Sequence, residues 1–111
     1  MQSSDNKKIR LELLPPNVLE EVGRVFAAGA EKYSEYGWKG VVSTPQGYAN
    51  YMGSCYRHLV RMHIGEAIDF DSNHLHAAHV VANGMILCWA TMNMDVDTSC
   101  SDKSVHYWRI P

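Results

Sequence analysis

The chain has 111 residues, 46% of them hydrophobic, and a formal net charge of −2. That length fills one domain with a small core, and the charge gives no general attraction to a nucleic-acid polymer or an anionic membrane. No apolar stretch is long enough to span a bilayer, MQSSDNKKIR lacks a secretory core, and three cysteines without a C-x-x-C pair suit a reducing cytoplasm.

Residues 1–12 read as a polar arm, and Pro15-Pro16 punctuates the chain at a good helix start. From Asn17, Val18, Val22, Val25, Phe26 and Gly29 recur at helical spacing, which predicts a first helix to about Tyr33. Its Ala27-Ala28-Gly29-Ala30 stretch lets a helix or a ligand approach the backbone closely. The segment SEYGWKGVVS (34–43) reads as a loop broken by Gly37 and Gly40. Thr44-Pro45 then supplies an N-cap and a first-turn proline for a second helix, expected to run to about Gly65. Its apolar face is Tyr48, Tyr51, Met52, Cys55, Leu59 and Met62.

An acidic turn, GEAIDFDSN (65–73), follows, with Asp71 or Ser72 placed to cap a third helix from about His74 to Met92. Leu75, Ala78, Ala82, Met85, Ile86 and Trp89 form that helix's apolar face, and Cys55 and Cys88 read as small core residues. From about residue 95 a flexible polar tail leads to HYWRIP (106–111), whose aromatics suit docking on a neighbouring helix or subunit. No strand is predicted. The fold expected is all-α, a small bundle of three main helices. Such a short chain leaves much of its helical hairpin uncovered, so completion by homo-oligomerisation is expected, with sites near subunit boundaries.

Five of the six histidines fall between His58 and His79, interleaved with Glu66, Asp69 and Asp71. Imidazoles and carboxylates gathered around a turn suit divalent-metal binding, proton transfer near neutral pH, or a pocket for a phosphorylated ligand. The plainer alternative is that His63 and His74 are solvated and that His58 and His79 are hydrogen-bonded core residues. On the second helix Ser54, Arg57, His58 and Arg61 share a side; on the third, His76, His79 and Asn83 form a stripe. An antiparallel hairpin can bring His58 to face His79 or Asn83. Glu66 and Asp69, spaced E-x-x-D, can serve a hard cation or simply end and cap helices. Lys32, Lys39, Arg57 and Arg61 are candidate phosphate contacts, and Tyr33, Tyr36 and Trp38 can stack on a base or form a lid over the core.

Four segments, taken in order, carry a resemblance: LLPPNVLEEVGRVFAAGAEKY (13–33), GWKG (37–40), RHL followed by GEAID (57–59 and 65–69), and HAAHVVAN (76–83). Over about residues 8–90 the chain resembles the phage dATP/dGTP diphosphohydrolase N-terminal family, the MazZ-type branch of the all-α nucleotide pyrophosphohydrolases related to MazG. The resemblance implies a dimeric or tetrameric helical bundle that uses Mg²⁺ or Mn²⁺ to hydrolyse a purine deoxynucleoside triphosphate to monophosphate and pyrophosphate. It implies metal ligands at Glu66 and Asp69, joined by Glu21, and catalytic roles for His58, His79 and Glu66. Substrate contacts fall on Lys32, Tyr33, Trp38, Arg57, Arg61, His76 and Asn83. MazG-like enzymes carry an E-x-x-E pair on an earlier helix; here Glu20 and Glu21 are followed three residues on by Gly23 and Arg24. That shortage of carboxylates opens a second reading, a phage protein that binds and sequesters a cyclic-nucleotide or ADP-ribose-type immune signal without cleaving it. A third reading is an interaction module in which the histidines only tune packing.

Overall fold

A computed structural model describes residues 8–94 and the backbone of 95–97 and 107–109. Three long helices carry the chain: α1 (Pro16–Lys32), α3 (Pro45–His63) and α4 (His76–Met92), with a short α2 (Gly37–Val42) between the first two. The all-α expectation holds, and helix ends lie within about two residues of those read from the sequence. The Thr44 cap is present: its side chain accepts from the Gly47 N–H at 3.0 Å, and its own hydroxyl donates to the Val41 carbonyl at 2.8 Å. Gly65 follows the end of α3 at φ +96, a left-handed conformation that glycine adopts without a Cβ penalty.

Contacts between α3 and α4 run in reverse order along the chain, which makes the pair antiparallel. His58 meets His76 and His79, Ser54 meets Asn83, and Tyr48 meets Thr91. The core gathers at the far end of this hairpin, where Val42, Tyr48, Ile86, Ala90 and Met94 are buried, with Phe26, Trp38, Tyr51, Leu87 and Trp89 packed around them. Edge-on ring contacts join Phe26 to Trp38 at 6.0 Å and Trp38 to Trp89 at 5.2 Å.

Several sequence expectations need correction. Residues 34–43 are not a loop throughout, because Gly37–Val42 form α2. Burial of Val42 and the aromatic contacts of Trp38 outweigh the helix-breaking tendency of Gly37 and Gly40. The acidic turn contains two short strands, β1 (Ile68–Asp69) and β2 (His74–Leu75), paired antiparallel. Extended backbone therefore continues to Leu75, α4 begins at His76, and neither Asp71 nor Ser72 caps it. The predicted apolar face of α3 is only partly covered: Tyr48 is buried, whereas Met52, Leu59 and Met62 are exposed, as is Cys88 on α4.

Within the segment read as a flexible tail, Asp95–Asp97 (β3) pair antiparallel with Tyr107–Arg109 (β4). The expected docking of the 106–111 side chains, and residues 1–7 of the polar arm, lie outside the described residues. Among the described residues, no helix is long and apolar enough to cross a membrane.

Candidate functional site

The short β1–β2 hairpin, set between α3 and α4, determines which polar groups meet. Asn73 takes a positive φ of 62 at the hairpin tip, and its N–H donates to the Asp69 carbonyl at 2.7 Å. This tight turn folds Ser72 back onto β1. The Asp69 carboxylate accepts from the Asp71 N–H at 3.1 Å and the Ser72 hydroxyl at 3.2 Å. Ser72 Oγ also lies 2.7 Å from His79 Nε2, and His79 Nε2 is 3.5 Å from Asp69 Oδ2. The His58 and His79 rings stack almost parallel at 4.4 Å.

One ring nitrogen of His58, one of His79 and one Asp69 oxygen all lie within 4.8 Å of one another, and among the described residues no other such group is found. With Ser72 donating to Asp69, the 2.7 Å contact makes His79 Nε2 the donor to Ser72 Oγ; an ion held between Nε2 and Asp69 Oδ2, whose 3.5 Å separation is close to the roughly 3.3 Å of two tetrahedral ligands, would displace that hydrogen.

Charge states suit the same purpose. Burial holds His58 below the ordinary histidine value, with smaller downward pushes from His76 and Arg57 and an opposing pull from Asp69. His79 is lowered by burial and then by His58, again against Asp69. For Asp69, burial pushes upward, but the Asp71 N–H, the Ser72 hydroxyl and the two imidazoles outweigh it and leave the group low. Neutral imidazoles and an ionised carboxylate are the forms that bind metal.

These shifts predict a pH dependence. A histidine whose folded value is depressed leaves the unfolded chain holding more protons between that value and about 6.5, so stability rises with pH there. The urea midpoint without metal should climb from about pH 5 to pH 7 and then level off, and His79→Gln should flatten that climb. A flat wild-type profile would contradict the burial of these rings.

Next to this cluster lies a cleft of roughly 1000 Å³. Its lining includes Asp69, Ser72, His74 and His79 together with Lys32, Tyr33, Tyr36, Trp38, Tyr51, Ser54 and Asn83. The small residues Ala27–Ala30 line it too, and they leave it open rather than receiving another helix. Tyr33 and Tyr36 are exposed, Lys32 sits 5.3 Å from the Tyr33 ring, and Asn83 Nδ2 donates to Ser54 Oγ at 3.2 Å. The volume lies at the upper end of small-molecule sites, and the lining mixes aromatic faces with a few polar groups, as such sites do.

Of the residues singled out in the sequence, Lys32, Tyr33, Trp38, Asp69, His79 and Asn83 line the cleft. His58, Glu66 and His76 lie outside the lining and are hydrogen-bonded to one another, with Glu66 Oε2 2.7 Å from His76 Nε2 and His76 Nδ1 2.9 Å from His58 Nδ1; the stacking of His58 on His79 links them to the cleft. Arg57 and Arg61 are exposed and outside the lining. Glu21 is paired with Arg24 at 2.6 Å on α1, also outside the lining. Sequence reasoning gave Ser72 only a capping role, although it bridges Asp69 and His79. The plainer alternative of a solvated His74 does not hold, since it is half-buried with its ring 6.2 Å from that of His79. The turn signature D-x-x-S-N pointed to Ser72, since a serine in a tight turn folds back on its own loop.

The chain matches the family model for dATP/dGTP diphosphohydrolase, N-terminal, over residues 1–99. It is 29% identical over 89 residues to a dATP/dGTP diphosphohydrolase of Salmonella phage PMBT28, covering 80% of this chain but 29% of that protein. No solved structure matches it. The match over residues 1–99 takes in all four helices and the His/Asp cluster, and the chain therefore belongs to the dATP/dGTP diphosphohydrolase N-terminal family.

Proposed function

We propose that this chain is a metal-dependent nucleoside triphosphate pyrophosphohydrolase, acting on purine deoxynucleotides in the cytoplasm of a phage host. The observation that carries the reading is the adjacency of a nucleotide-sized cleft to His58, Asp69 and His79. Those three residues would hold Mn²⁺ or Mg²⁺, which when bound supplies charge stabilisation to phosphate oxygens. Lys32 adds positive charge for the phosphates, and Trp38, Tyr33 and Tyr36 offer faces for the base. Asn83 and Ser54 present an amide and a hydroxyl to the sugar or base. Water attacks the α-phosphorus, the new P–O bond forms as the bond to pyrophosphate breaks, and a neutral imidazole takes the water's proton. His74, which lines the cleft outside the trio of ion donors, would be the imidazole that makes that transfer.

A second reading draws on a separate observation. The ion-binding trio holds a single carboxylate, with Glu66 and Glu21 engaged by His76 and Arg24, which suits a protein that sequesters a nucleotide signal intact. Incubation with dATP, dGTP, cyclic nucleotides and ADP-ribose plus Mn²⁺, followed by chromatography before and after heating, separates the two. Conversion of dATP or dGTP to monophosphate and pyrophosphate is the expected result. A depleted ligand that returns intact on heating would establish sequestration instead, and no change in any nucleotide would end both readings.

A homo-oligomer belongs to this proposal. Tyr56, Leu59 and Val60 on α3, with Ile64 just past its end, form an exposed apolar face for a second copy to cover.

A further inference from the structure

We infer that Glu66 and His76 position His58 rather than bind the ion, leaving a centre of two imidazoles and one carboxylate that prefers Mn²⁺, Co²⁺ or Zn²⁺ to Mg²⁺. The inference rests on the metal-dependent reading above and names the role of each polar group around that ion.

The E-x-x-D spacing places two carboxylates side by side only if the chain is helical between them, since residues three apart then share a face. Here α3 ends at His63, and Asp69 lies on the extended strand β1. The two carboxylates accordingly go to different partners. Asp69 turns to Ser72 and His79, whereas Glu66 reaches His76 at 2.7 Å and is absent from the set of converging donors.

The hydrogen bonds then fix where the protons sit. A carboxylate oxygen only accepts, so His76 Nε2 carries the hydrogen that lies against Glu66. In the neutral form of His76 the lone pair then lies on Nδ1. That nitrogen, 2.9 Å from His58 Nδ1, accepts, so His58 carries its hydrogen on Nδ1. The lone pair of His58 is thereby fixed on Nε2, the form in which that nitrogen can bind a cation. His76 is 4% exposed at its side chain, so little water competes for these bonds. Metal-ligating histidines commonly have the second nitrogen held by an acceptor; here the acceptor is another imidazole, held in turn by a carboxylate. Two nitrogen donors and one oxygen suit borderline cations, whereas Mg²⁺ favours an all-oxygen shell.

Two measurements test this without reference to turnover. In the ion-free wild-type protein, long-range ¹⁵N NMR of the imidazoles should find the hydrogen on Nε2 of His76 and on Nδ1 of His58. Finding His58 with its hydrogen on Nε2 would overturn the relay, and no substitution is needed to see it. Mn²⁺ titration by electron paramagnetic resonance and Co²⁺ absorption spectra then compare wild type, Glu66→Gln and Asp69→Asn. Glu66→Gln should weaken Mn²⁺ binding about 10- to 100-fold while keeping the shape of the Co²⁺ spectrum. About a hundredfold excess of Mg²⁺ should leave wild-type Mn²⁺ bound. A Glu66→Gln affinity equal to wild type, or a Co²⁺ spectrum altered as in Asp69→Asn, would overturn the positioning role alone. No uptake of either ion by wild type would overturn the metal-dependent reading on which it rests.

Discussion

Asp69→Asn should lower dNTP turnover by about 100-fold or more and remove Mn²⁺ binding, with the helical circular dichroism spectrum unchanged. Asp69 is the one carboxylate among the converging donors, so its charge is what an ion there has to balance. Asparagine keeps the shape and one acceptor oxygen for the Asp71 N–H or the Ser72 hydroxyl. The hairpin therefore survives while the charge is lost. Wild-type activity should also fall in acid, through two steps of the same sign. The imidazoles gain protons below their depressed values, and further down Asp69 is neutralised, each removing a metal-binding form. Turnover of Asp69→Asn within about threefold of wild type would eliminate this cluster as the reacting centre. Activity lost together with the circular dichroism signal would mean the residue serves the fold instead.

The largest effect on stability is expected from Gly47→Ala, which should cost about 2–3 kcal/mol and lower the melting temperature by roughly 10 °C or more. Helix propensity alone argues the opposite, because alanine in a helix is better than glycine by about 1 kcal/mol. Position decides the sign. Gly47 lies in the first turn of α3, where its N–H is held by the Thr44 side chain. A methyl built there would overlap the Val41 carbonyl oxygen, and it would also crowd Thr44 Oγ1 at 2.9 Å. The carbonyl is backbone, fixed by bonds from Thr44, so it has no rotamer by which to move away. Gly23→Ala on α1 is the control, because nothing lies within 4 Å of its added methyl. It should be neutral or stabilise by up to about 1 kcal/mol. Equal melting temperatures for the two variants would contradict the close packing of α2 against the start of α3.

The three long helices and their punctuation were legible in the sequence, because their causes are local. Pro16 and Pro45 sit in first turns, Thr44 caps, Gly65 adopts a positive φ, and apolar residues recur at helical spacing. The membership of the site was legible in part, since imidazoles and carboxylates crowd one stretch whatever the fold. Their partnerships were not, because these depend on a turn only a few residues long. One pair of short strands converts E-x-x-D from two neighbouring ligands into Asp69 facing His79 and Glu66 facing His76. Packing likewise made Gly37–Val42 helical despite two glycines, since burial of Val42 and the Trp38–Trp89 contact are long-range gains that no local propensity registers. The order of residues alone determined that histidines and acids gather between His58 and His79. Tertiary structure decided which of them converge, which pair with one another, and that a cleft opens beside them. Hydrogen bonds and metal ligation act over about 3 Å, and positions at that scale follow from the packing of α3 on α4 rather than from residue order.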